Sequence, residues 1–132
     1  MLTGVDTGFF FALAKEDPVA LSIWDKREIV TSVIVLYELQ KKLLQRKFED
    51  WRTILEDIKK SVSVIPVTTD IALKAGHIAH TAGMPGLDVL ILSSLLEAGC
   101  KEVYTTDAHF ELYHGKGVKI INLPPHNGFS SG

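Results

Sequence analysis

Residues 2–14, LTGVDTGFFFALA, decide how the rest of the chain is read. LTGV is a short apolar strand that ends at Asp6, and TGFFFALA follows at once as a helical turn or short helix. A strand handing over directly to a helix is the opening of a βαβ unit. The same stretch poses a chemical question. Asp6 stands among valine, leucine and three consecutive phenylalanines. A lone buried carboxylate is costly, so it requires a partner.

The alternation continues outward. Asp17-Pro18 starts a second helix, with Asp as cap and Pro at the first helical position, running through VALSIWDKR. EIVTS (28–32) reads as a strand. Ser32 then caps VIVLYELQKKLLQRK (33–47), where Val33, Leu36, Leu39, Leu43 and Leu44 fall near one face. The β-branched start of that segment is equally compatible with a longer strand. EDWRTILEDIKKS (49–61) is amphipathic, with Trp51, Ile54, Leu55 and Ile58 at helical spacing. VSVIPV is a strand, placed at an edge by Pro66. Thr69 is the expected cap of DIALKAGHIAHTA, and Gly83-Met84-Pro85-Gly86 breaks it. LDVLILSSLLEAG is a further apolar helix closed by Gly99. KEVYTT is a strand, AHFELY one or two helical turns, and VKIINL the last strand. Strands separated by helices predict an α/β fold, a three-layer α/β/α sandwich around a central, mostly parallel sheet. Residues 1–126 are expected to form one domain, and the small polar stretch 127–132 a flexible tail.

Composition narrows the function classes. The chain has 132 residues, 46% of them hydrophobic and 23% charged, with a formal net charge of −2. No overall basic field announces a polyanion, so contact with one requires a local basic patch or bound cations. The single cysteine, Cys100, allows neither an internal disulfide nor a Cys-rich zinc site, and fits a reducing compartment, expected to be the cytoplasm. The N-terminus lacks the basic leading segment of a signal peptide and is interrupted by Asp6. No apolar stretch approaches the roughly 18 residues of a membrane span. A P-loop, a Gly-x-Gly-x-x-Gly fingerprint and a Gly-x-Ser-x-Gly elbow are all missing from the sequence.

Four acids keep apolar company. Asp6 and Asp107 follow predicted strands, Glu38 lies in VIVLYEL and Asp88 in GLDVLIL, whereas most other acids sit among lysines and arginines. In a parallel sheet, sites form beyond the carboxyl ends of the strands, and these four acids could converge there. Each also has a local role available: a helix cap for Asp6, a turn or cap for Asp107, a first-turn acid favoured by the helix dipole for Asp88. Glu38 has no capping role so far into its helix. Gathered carboxylates disfavour joint ionisation. A hard divalent cation, Mg2+ or Mn2+, relieves the repulsion and commonly shares phosphate oxygens with a substrate, which suggests phosphodiester hydrolysis.

Taken in order, VDTGFFFAL, SVIVLYEL, GLDVLILSSLL and VYTTDAHF resemble the successive acidic motifs of PIN-domain nucleases, particularly the small VapC-type toxins. The resemblance covers essentially the whole chain. It implies a Mg2+- or Mn2+-dependent endoribonuclease leaving 5′-phosphate and 3′-hydroxyl ends, acting on RNA, often as a homodimer and inhibited by a small antitoxin protein. By motif position Asp6, Glu38, Asp88 and Asp107 match the family's metal-site acids. Thr7 and Thr105 match its hydroxyl positions, where they would orient a metal-bound water or a carboxylate. Ser93-Ser94 stands where the family usually has alanines, a departure that concerns packing more than chemistry.

Other readings compete. KKLLQRK with Arg52, Lys59 and Lys60 could contact phosphates, or be a solvated helix face among Glu49, Asp50, Glu56 and Asp57. Tyr37, Phe48, Trp51 and Trp24 could stack bases, though helical spacing favours core or dimer interface. His77 and His80, three apart on a helix, have no evident third ligand and are expected at the surface. His109 follows Asp107 closely enough to approach a substrate. A non-catalytic, receiver-like module would also cluster acids at strand ends but needs a lysine near the last strands, for which Lys116 and Lys119 are poorly placed. A nuclease of structured DNA or of RNA processing, outside any toxin–antitoxin pair, is the third reading.

Overall fold

The computed structural model describes residues 2–124. The proposed tail, 127–132, lies outside the described residues, as do the ends of the proposed domain.

Five strands form one sheet: β1 (Leu2–Val5), β2 (Glu28–Ser32), β3 (Ser63–Ile65), β4 (Glu102–Thr105) and β5 (Lys119–Asn122), in the order β3-β2-β1-β4-β5. Every pairing is parallel: Gly4 lies opposite Val30, Val5 opposite Tyr104, and Thr105 opposite Asn122. The helices are α1 (Thr7–Ala14), α2 (Pro18–Lys26), α3 (Val33–Leu44), α4 (Ile54–Ser61), α5 (Thr69–Ala82) and α6 (Gly86–Glu97). Consecutive strand residues point to opposite faces. In β1, β2 and β4 consecutive residues are buried, among them Thr3, Gly4 and Val5, so helices cover both faces and the fold is the expected α/β/α sandwich. β3 is an edge strand, as Pro66 predicted, and is less buried than the central three.

Local chemistry sets the boundaries. Asp17 accepts from the Val19 and Ala20 amides, with Pro18 at the first helical position of α2. Ser32 accepts from Ile34 N, which ends β2 and starts α3 and excludes a longer strand. The helix stops at Leu44, before the expected Lys47, because Arg46 turns into the left-handed region (φ 56°). α5 is capped by Thr68 rather than Thr69; the Thr68 hydroxyl accepts from Ile71 N. The amphipathic 49–61 segment is not one helix. A 3-10 turn (Glu49–Trp51) precedes α4. Trp51 turns inward, its ring 5.9 Å from that of Trp24 and 6.4 Å from that of Phe10, while its indole N–H donates to Asp57. The AHFELY segment is a 3-10 helix, Ala108–Leu112.

The core includes the helix that follows Asp6. Phe9 and Phe10 are fully buried, and burying such a side chain contributes about 1.5–3 kcal/mol. Phe48 is also core, and Tyr37 is exposed. Two glycines permit close approach. A Cβ at Gly8 would fall on the Thr106 side chain, and one at Gly4 would lie 2.9 Å from a Leu95 methyl. Among the described residues no single helix is long and apolar enough to cross a membrane.

Candidate functional site

Because every strand is parallel, all carboxyl ends share one rim. The order β3-β2-β1-β4-β5 places β1 beside β4, where the chain's progress across the sheet reverses, and such a switch point leaves a crevice. Asp6 follows β1 and Asp107 follows β4, so both flank it.

Asp6 does two jobs. One carboxylate oxygen caps α1, accepting from Phe9 N at 3.0 Å. The other accepts from the Thr105 hydroxyl at 2.5 Å, across 99 residues of sequence. The carboxylate is buried (4% exposed). Burial pushes its pKa up to about 7 against the pull of those two hydrogen bonds, and the charges of Asp107 and Asp88 push further in the same direction. The capping alternative is therefore real but incomplete, since a cap needs neither the burial nor the neighbouring acids.

Asp107 is likewise a cap, of the 3-10 helix, accepting from His109 N at 2.9 Å. Thr105 Oγ1 receives the Asp107 amide at 2.9 Å, so one threonine ties both aspartates to the end of β4. Asn122, paired with Thr105 across β4 and β5, reaches the Asp107 carbonyl. Asp88 lies in the first turn of α6, whose N-cap Pro85 offers no side-chain bond. Partial burial pushes its pKa up to about 6, with Asp107 adding to the rise and His109 opposing it. His109 Nδ1 lies 3.1 Å from an oxygen of Asp88 and 3.1 Å from one of Asp107.

Asp6, Asp88 and Asp107 thus come together from distant segments. Glu38, on α3, accepts from the hydroxyl of Thr7, the residue after Asp6, at 2.5 Å, but is not among the charges that act on Asp6 or Asp88. Asp88, Asp107 and His109 present ligand atoms within 4.8 Å of one another, the cluster of this kind found among the described residues. His77 and His80 are exposed on α5, as expected. The sequence reading missed the bridging position of His109, the support from Asn122 and the fit of Gly8 against Thr106. The signals were faint: a histidine two residues after an acid, and a glycine two after Asp6.

The donor set is mostly carboxylate oxygen, and burial together with the neighbouring acids raises the pKa of Asp6 and Asp88. That suits a hard divalent cation better than a soft one. Of the two serines, Ser94 is buried and bonds the Leu90 carbonyl and Ser32 Oγ, while Ser93 is buried with its hydroxyl unpartnered among the described residues. A receiver-like site is disfavoured by position. Lys119 pairs with Glu102 at the opposite end of β4 from Thr105. Elsewhere the charged face of α4 is solvated, with Lys59–Glu56 at 3.6 Å, whereas Lys42 of the KKLLQRK segment on α3 is buried.

The PIN domain family profile matches residues 4–116. No curated protein matches the sequence. Among solved structures, the chain is similar to VapBC2 from Rickettsia felis bound to a promoter DNA fragment (TM-score 0.72, 17% identity, covering 93% of this chain and 99% of that one). It is also similar to VapBC-5 of the VapBC toxin-antitoxin family from Mycobacterium tuberculosis (TM-score 0.66, 25% identity, 92% and 98%). A third similar structure is VapC20 from Mycobacterium tuberculosis, described as a Sarcin-Ricin loop cleaving toxin (TM-score 0.65, 22% identity, 89% and 98%).

Proposed function

Because the chain belongs to the PIN domain family, we propose that it is a divalent-cation-dependent endoribonuclease and the toxin of a toxin–antitoxin pair. The observation that carries this reading is the meeting of Asp6, Asp88 and Asp107 at the β1/β4 crevice. The likeness to VapC and VapBC structures supports the toxin role. On this reading residues 1–126 are one nuclease domain, working in the cytoplasm as a homodimer and held in check by a small antitoxin protein.

Asp6, Glu38, Asp88 and Asp107 would hold Mg2+ or Mn2+. A cation held there would supply activation of water and offset of charge on the scissile phosphate. The chain's own residues prepare the place. Thr105 holds Asp6 in one rotamer and fixes the Asp107 backbone; Thr7 does the same for Glu38. The Phe9 amide donates to Asp6, whose carboxylate is buried. The net negative rim repels RNA when empty, so cation and phosphate are expected to bind together.

The test is cleavage of RNA by the purified chain in Mg2+ or Mn2+, with single substitutions Asp6→Asn, Glu38→Gln, Asp88→Asn and Asp107→Asn. Each is expected to lose more activity than the roughly 100-fold that supporting residues cost. Full activity in Asp6→Asn and Asp88→Asn together would sink the reading. A growth assay on expression, followed by sequencing of RNA ends, tests the toxin role and identifies the target.

A further inference from the structure

We propose that His109 is a ligand of the divalent cation, making the site a mixed nitrogen–oxygen centre that prefers Mn2+ to Mg2+. The proposal rests on the cation site proposed above.

The local fold delivers the imidazole to the acids. Asp107 accepts from the His109 amide, which sets the start of the 3-10 helix, and Phe110 anchors that helix in the core with no exposure. His109 therefore cannot drift far from Asp107. Its Nδ1 is equidistant, at 3.1 Å, from one oxygen of Asp88 and one of Asp107. An imidazole nitrogen has a single in-plane direction, so one proton serves two acceptors poorly. A cation between the three atoms satisfies all of them. Adjacent ligands on an octahedral cation with bonds of roughly 2.1 Å lie about 3 Å apart, close to the 3.1 Å between the imidazole nitrogen and each carboxylate oxygen.

The ring is also on the right side of the site. The His109 side chain is 56% exposed, while Asp88 and Asp107 are about 20% exposed, at 20% and 21%. The imidazole forms the outer wall, facing the solvent from which a cation arrives. Its chemistry then discriminates. Mg2+ takes oxygen ligands and keeps its waters, whereas Mn2+ stands above it in tolerance for imidazole nitrogen. An all-carboxylate site would lack this bias.

Calorimetric titration of Mg2+ and of Mn2+ into the full chain, wild type and with His109→Ala or His109→Gln, tests the proposal without reference to cleavage. Thermal melts confirm that the variants are folded, as expected for a half-exposed side chain. The Mn2+-over-Mg2+ preference should fall by roughly tenfold or more in both variants, mainly through weaker Mn2+ binding. Pulsed electron paramagnetic resonance of the Mn2+-loaded wild type should show a directly coordinated nitrogen that both variants lose. Unchanged affinity ratios, or no nitrogen coupling in the wild type, would overturn the role of His109 and leave the carboxylate site standing. If neither cation binds the wild type, the site itself fails and this inference with it.

Discussion

The two ends of β4 treat charge in opposite ways. At the amino end Glu102 meets Arg27 at 2.7 Å, with Lys119 as its cross-strand neighbour. A carboxylate there has a guanidinium as its direct partner. At the carboxyl end three aspartates share one histidine and a threonine hydroxyl. Burial and mutual repulsion raise the pKa of Asp6 to about 7 and of Asp88 to about 6. The paired end needs nothing more to be stable. The unpaired end carries a cost in the fold that a bound cation would offset.

Breaking the unpaired end should have the largest effect, and in two directions. Asp6→Asn is expected to abolish RNA cleavage while raising the melting temperature of the cation-free chain at pH 8. It keeps an oxygen for the Phe9 amide and removes a buried charge. A lower melting temperature with cleavage retained would reverse the assignment. Thr105→Val comes next. It leaves Asp6 and the Asp107 amide without their shared partner, and should cost roughly 10–100-fold in cation affinity, measured calorimetrically.

The contrast also has a pH signature. The Asp6 carboxyl is raised from 3.8 in the unfolded chain to about 7 in the native one. Between those values the folded state binds more protons than the unfolded state, so this group's contribution to stability falls as pH rises. It is fully present below about 4 and gone above about 7. Denaturant unfolding of the cation-free chain should show that decline, and saturating Mg2+ or Mn2+ should restore most stability at the alkaline end. A flat profile would mean that Asp6 is paired by protein alone.

Smaller effects sharpen the picture. Gly8→Ala places a methyl on the Thr106 side chain and should cost about 1–3 kcal/mol, read from denaturant midpoints. Glu102→Gln, at the matched end, should leave cleavage intact and change stability by no more than about 1 kcal/mol, as for other partly exposed pairs.

How much of this was legible in the sequence follows from which interactions are local. Asp17-Pro18 and Ser32 cap helices through bonds to amides two or three residues away, and both were readable. The parallel sheet was readable from the alternation, and Asp6 and Asp107 from their places after strands. The split before α4 was not. It depends on Trp51 turning toward Trp24 and Phe10, which periodicity cannot report. Thr68 and Thr69 are chemically equivalent as caps, so sequence alone could not choose between them. His109 was noticed, yet its meeting with Asp88 spans 21 positions and depends on how α6 sits against the end of β4.

The strand order carries a consequence for timing. β1 is made before the other four strands, but its neighbour β4, which ends at Thr105, is the fourth to be made. Until then the middle of the sheet lacks one side, Asp6 lacks the hydroxyl that holds it, and Asp107 does not exist. A nascent or prematurely released chain therefore contains the first acid without the last. The acids of the rim thus cannot meet until synthesis has passed Asp107.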